Sequence, residues 1–225
     1  MTMNADISAA SALNTAVAGV LSRMTAGVFF TLVVSALISA AGLVPLLFGS
    51  ALGYVIIFAP LAMSLYLGFR GHTLSTEAIK FWFIAFAAVM GLSLSTIFAV
   101  YTSASIAQAL IGTTVSFAAL AGWGYFTKRD LSGWGPFLFA GVIGLVIASI
   151  VGIFVESTAL QMTVNVLAIL IFLGLTAYDM NRIRDMFWNA TAEDVARWQW
   201  FGALSLYINF INIFVSLLQL FGNRE

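Results

Sequence analysis

The chain has no cysteine and a single histidine, and only 8% of its residues are charged. The missing cysteines exclude disulfides, thiol nucleophiles and thiolate-bound metals. The shortage of charge is the stronger constraint. Soluble domains carry charge on roughly a quarter of their residues, so this chain could not cover a globule with polar surface. Its formal net charge is zero, which indicates neither nucleic acid nor a generally acidic partner. It contains no glycine-rich nucleotide loop and no His/Cys/Asp cluster at metal-ligand spacing, so no cofactor is expected.

Apolar residues are abundant instead, at 62% of the 225 residues. A bilayer core of about 30 Å takes about 20 apolar residues as helix, because only internal hydrogen bonding satisfies the backbone there. Seven segments meet that requirement: 24–43, 50–69, 81–101, 105–126, 136–155, 159–178 and 201–221. The expected class is an all-α membrane protein with one transmembrane domain over 23–222, a short tail over 223–225 and membrane lipid as its solvent. Residues 1–22 are small and weakly polar, without the basic-then-apolar order of a cleaved signal. They read as a short cytoplasmic N-terminus, partly disordered or interfacial.

Lys and Arg orient the spans. Arg23, Arg70, Lys80, Lys128, Arg129, Arg182, Arg184 and Arg197 fall on one face, and Arg224 alone on the other. This places the N-terminus in the cytoplasm and the C-terminus outside. Along span five, Ala140, Gly144, Ala148 and Gly152 recur every four residues, a ridge of small side chains expected to let helices approach closely.

Span seven carries Ser205, Asn209, Asn212, Ser216 and Gln219, spaced 4, 3, 4 and 3. That period sets them on one helical face. Facing lipid, each amide would lack partners at a cost of a few kcal/mol, so the stripe is expected to face protein or a wet cavity. Interhelical hydrogen bonding is the plainer role for any single Asn; five polar residues in register suggest something more, a central helix surrounded by the others that would line a route if one exists. Asp179 closes span six at its cytoplasmic end. It reads either as a helix-end acid paired with Arg182 or as a desolvated acid whose protonation matters. Arg70, at the end of span two, is a possible counter-charge or an ordinary anchor. Glu156, at the outer end of span five, is a candidate cation attractor or an interfacial acid.

Three blocks resemble the transmembrane Bax-inhibitor-motif family: TKRDLSGWGPF (127–137), FLGLTAYDMNRIR (172–184) and ALSLYINFINIFVSLLQLFG (203–222). With the arrangement of spans, the resemblance covers the chain from about residue 20. It implies seven transmembrane helices, the C-terminal one central and surrounded by the other six, in a bacterial inner membrane. Characterised bacterial members look like pH-sensitive calcium leak channels, in which two aspartates at the cytoplasmic mouth share protons and an arginine on the second helix latches them. By position, Asp179 matches the first aspartate and Arg70 the arginine. The second falls in a block that reads LYLDFIN in the family and LYINFIN here, so Asn209 stands in its place. An amide beside one carboxylate cannot titrate as a coupled pair, and Ca²⁺ prefers several charged oxygens. The expectation is a path for calcium or another cation, bound only transiently, with an altered proton gate.

Enzymatic readings fare worse. An intramembrane aspartyl protease needs a second buried acid in span seven, which is missing, and a serine type needs an intramembrane histidine, whereas His72 lies in a loop. No enzyme is expected. The alternative is a non-conducting regulator that binds a membrane-bound ATP-dependent protease through residues 1–22 or the 185–200 loop. Phe187, Trp188, Trp198 and Trp200 in that loop also suit interfacial anchoring.

Overall fold

The computed structural model describes residues 2–155, 157–188 and 191–224. Among them there is no strand, and seven helices are long and apolar enough to cross a membrane. In chain order the helices are α1 (Thr2–Ala40), α2 (Val44–Phe48), α3 (Ala51–Arg70), α4 (Thr76–Leu94), α5 (Ile97–Val100), α6 (Ser103–Phe126), α7 (Trp134–Val155), α8 (Thr158–Trp188) and α9 (Ala192–Phe221). The third span is α4 followed by α5, interrupted where Ser95 and Thr96 donate to carbonyls three residues back, a local bond that competes with the helical ladder.

Helix ends follow side-chain chemistry. Ser50, Ser75, Thr102 and Ser157 each accept a backbone N–H of the first turn that follows, which satisfies donors the helix itself leaves open. α1 ends at Gly42, whose φ of +68° is the left-handed conformation glycine adopts without strain. There Gly42 N donates to Ser39 O and Leu43 N to Ile38 O, the paired bonds of a Schellman stop.

Two expectations about helix extent are corrected. The stretch before the first span is continuous with it: α1 runs unbroken from Thr2 to Ala40, and Ala16, Val17 and Val20 are buried. The 185–200 segment is not a loop: α8 continues to Trp188 and α9 starts at Ala192. Bilayer thickness sets a minimum helix length only, and apolar contacts carry these helices past it; Phe187 is buried and is not an interfacial anchor.

The small-residue ridge of α7 is also corrected. Ala140 and Gly144 are exposed, and nothing lies within 4 Å of a Cβ placed on Gly144. α7 instead meets α8 through the neighbouring face, where Leu138 fills the space left by Gly174, and Ile171 packs on Gly141. A large side chain entering a glycine notch buries more area than two small faces do, so the ridge is outward at Ala140 and Gly144, while Ala148 and Gly152 are half-buried and a Cβ on Gly152 would lie 3.8 Å from Leu160.

The chain divides into two compact units, one comprising residues up to Tyr101 with Met186–Tyr207, the other Thr102–Asp185 with Ile208–Arg224. In the first, α1 packs chiefly on α4. A Cβ at Gly91 would sit 2.7 Å from Val34 Cβ, so the absence of a side chain is what lets the two helices touch. Tyr207 of α9 is fully buried here, with Phe83 and Phe86 edge-on to its ring. Thr31 Oγ1 donates to Ala87 O at 2.9 Å, so the 2.7 Å contact between Tyr207 Oη and Thr31 Oγ1 must be donated by the tyrosine. The N-terminal part of α1 is held in the same unit. Gln199 Nε2 donates to Ala16 O, and the Arg23 guanidinium lies 5.0 Å from the Trp200 ring centroid.

This direction of donation makes the two partners unequal. Tyr207→Phe removes one hydrogen bond and should cost about 1 kcal/mol. Thr31→Val strands the buried phenol and should cost about 1–3 kcal/mol. Thermal denaturation in detergent measures both, with the larger drop in Tm expected for Thr31→Val.

Candidate functional site

Asp179 lies on α8 nine residues before its end at Trp188, within the second unit, and it is only 9% exposed. Among the described residues it is the one buried carboxylate. A charge there is costly unless it receives hydrogen bonds. Asn209 of α9, itself 3% exposed, supplies one: its Nδ2 donates to Asp179 Oδ2 at 2.8 Å. α9 begins earlier than expected, so Asn209 is about 26 Å along the helix from its start at Ala192.

α8 is fixed at this level by α6. A Cβ on Gly124 would strike Ala177 O and lie 2.8 Å from Ala177 Cα, so the two backbones are in direct contact two residues before Asp179. Two residues after it, the buried Asn181 donates from Nδ2 to Gly124 O at 3.3 Å. One turn further, Arg184 donates to Tyr125 O at 3.0 Å and Thr127 O at 2.6 Å. A cation placed on the open carbonyls of a helix C-terminus also meets the negative end of its dipole. Arg184 additionally pairs with Asp185 at 2.9 Å. Asp179 is therefore bracketed by three attachments of α8 to α6.

The polar stripe on α9 is graded rather than uniformly enclosed. Asn209 and Ser216 are buried, Ser205 and Asn212 half-buried, and Gln219 exposed. At about 100° per residue, the five lie within about 80° of one another, with Asn209 and Ser216 toward one edge and Gln219 at the other. The stripe thus marks a seam between the buried and open sides of α9. Asn212 Nδ2 donates to Ile208 O of its own helix at 2.8 Å. α9 is still the most enclosed span, with 67% of its apolar window buried against 33% or less in the other six.

Arg70 is exposed as the last residue of α3, and its carbonyl accepts from Thr73 Oγ1. Glu156 lies outside the described residues. Among the described residues no group of three His, Cys, Asp or Glu side chains is gathered as a metal would need. Gly124, Asn181 and Arg184 were not singled out from sequence as supports of the site. Asn181 and Arg184 sit in the AYDMNRIR block, but their partners are backbone carbonyls, which leave no trace in sequence.

These features define a multi-pass integral membrane protein with a buried carboxylate that accepts a hydrogen bond from an amide on its last described helix. The chain matches the family described as "Inhibitor of apoptosis-promoting Bax1" over residues 13–225. It is 38% identical over 218 residues to Inner membrane protein YbhL of Escherichia coli K12, covering 95% of this chain and 93% of that one. It is 45% identical over 176 residues to an uncharacterized protein of Caulobacter vibrioides, covering 76% of this chain and 70% of that one. An uncharacterized protein of Rickettsia prowazekii is 38% identical over 183 residues, covering 80% and 77% respectively. The chain belongs to the Bax inhibitor family.

The contact of Gly124 with Ala177 is the sharpest steric demand at the site. Gly124→Val should lower stability by about 1–3 kcal/mol, as overpacking does, while Gly144→Val, facing open space, should stay within about 0.5 kcal/mol. Unfolding of the two variants side by side checks the assignment of the packed face.

Proposed function

We propose that the protein is a non-enzymatic cation leak pathway of the inner membrane, N-terminus cytoplasmic, closed by the Asp179–Asn209 contact. The observation that carries this is the 2.8 Å bond between the two side chains, at the positions where the family resemblance expects a proton-sharing acid pair. The membrane placement draws on the seven apolar helices and on the likeness to an E. coli inner membrane protein. The orientation rests on the distribution of Lys and Arg. The reading does not depend on Arg70.

The amide changes how such a closure responds to protons. Two carboxylates hold one proton between them and repel when it leaves. An amide has both a donor and an acceptor. With Asp179 ionised, Asn209 Nδ2 donates; with Asp179 protonated, the acid O–H can donate to Asn209 Oδ1 after the amide turns. Contact is kept in both states, so closure is less sensitive to pH.

Cation entry into liposomes, followed with Ca²⁺ and K⁺ indicators from pH 6 to 8, tests this. His72, exposed in the turn after α3, is replaced by Gln in every protein as a common background. Asp130 needs no such control: the backbone N–H and the hydroxyl of Ser132 hold its carboxyl below the usual range, so it stays ionised throughout. Flux should vary by less than about twofold in the Asn209 protein and by more than about fivefold in Asn209→Asp, where a coupled pair is restored. A steeper response in the Asn209 protein would overturn the reading. No flux, with a protease co-purifying in stoichiometric amount, would favour the regulatory alternative.

A further inference from the structure

We propose that the groove between α6 and the last turns of α9 holds one acyl chain of a membrane phospholipid, and that Ser105 donates its hydroxyl proton to the ester carbonyl of that chain. Such a site requires membrane embedding alone. It is independent of ion conduction and of the Asp179–Asn209 contact.

Both walls of the groove belong to the second unit. Ser105, Gln108, Ala109 and Gly112 of α6 and Leu217 and Phe221 of α9 line a cavity of about 150 Å³. Gly112 keeps the space open: a Cβ there would meet only Leu217 Cδ1, at 3.6 Å. Gln108, Gly112 and Phe221 are exposed, so the cavity is open on their side. An apolar cavity of this size stays dry and takes an apolar ligand. Beside a membrane-spanning helix, the apolar material at hand is acyl chain.

The buried hydroxyl sits at one end of this groove. α6 begins at Ser103, so Ser105 lies at the membrane boundary, and Gly112 is about 10 Å further along the helix. A phospholipid has the same order, with its ester carbonyls at the edge of the hydrocarbon and its chains beyond. On the sidedness proposed above, this is the outer leaflet. The lining side chains are uncharged, which suits the neutral ester rather than the phosphate.

Ser105 is 4% exposed. Its oxygen accepts twice, from Asn223 N at 2.9 Å and from Thr102 Oγ1 at 3.0 Å. A hydroxyl has two lone pairs and one proton, so the proton is what Ser105 has left to give. A buried donor gains from an acceptor that arrives with the ligand, and an ester carbonyl is an acceptor only. Thr102 N also donates to Asn223 O at 3.2 Å. This ties the chain after α9 to the start of α6 and holds the hydroxyl in place.

Native mass spectrometry of the full chain tests the proposal. The protein is delipidated in detergent and given equal amounts of diester and diether phosphatidylcholine of one chain length. One lipid should be retained, with the diester preferred about fivefold, the contribution of one neutral hydrogen bond. Gly112→Phe fills the groove with a ring and should lose that lipid with Tm unchanged. Gly144→Phe, facing open space, should keep it. The ester-to-ether ratio of the unmodified protein keeps the test available if Gly112→Phe does not fold. Equal retention of the two lipids overturns the proposal, as does a lipid retained undiminished in Gly112→Phe. A dimer that Gly112→Phe abolishes, with no change in bound lipid, assigns the groove to a second copy and overturns it too. Cation flux is untouched by any of these outcomes.

Discussion

A carboxylate buried among apolar helices is tolerable only if the structure brings donors to it, and the placement of α8 and α9 can be understood from that need. Asp179 has lost nearly all its access to solvent. Asn209 answers it with an amide hydrogen from a helix that shares its unit. Removing the amide would leave a charge in a medium that screens it poorly, and removing the carboxylate would leave an amide without its acceptor. Neither side chain is easily explained without the other.

The pair is held in place by contacts that have no chemistry of their own. Gly124 lets the α6 backbone touch that of α8 at Ala177, while Asn181 and Arg184 close over the carbonyl end of α6. These attachments lie on both sides of Asp179 along α8, so the carboxylate cannot drift without breaking bonds to main-chain oxygens. On α9, the stripe that carries Asn209 passes from buried at Ser216 to exposed at Gln219. The site therefore combines a rigid carboxylate with a partner helix that has one face relatively open.

Much of this was legible in the sequence, for reasons that can be stated. The number of spans follows from the absence of water in the bilayer, which forces long apolar helices. Asn209 and Asp179 stood out because polar groups are costly there. Helix length was less legible: the bilayer does not end a helix, so α1 continues toward Thr2 and α8 to Trp188. The small ridge on α7 misled because lipid and protein are equally apolar neighbours, and small residues alone do not say which a face will meet. The supports at Gly124, Asn181 and Arg184 were hidden for another reason. Their counterparts are backbone atoms, present at every position.

A double-mutant cycle between Asp179 and Asn209 tests the central claim most directly. Asp179→Leu, Asn209→Leu and the double variant would be unfolded in the same detergent. A coupling energy of at least about 1.5 kcal/mol is predicted for a buried bond to a carboxylate. Additive losses, with coupling within about 0.5 kcal/mol of zero, would contradict the account, because the two side chains would then be stabilised independently.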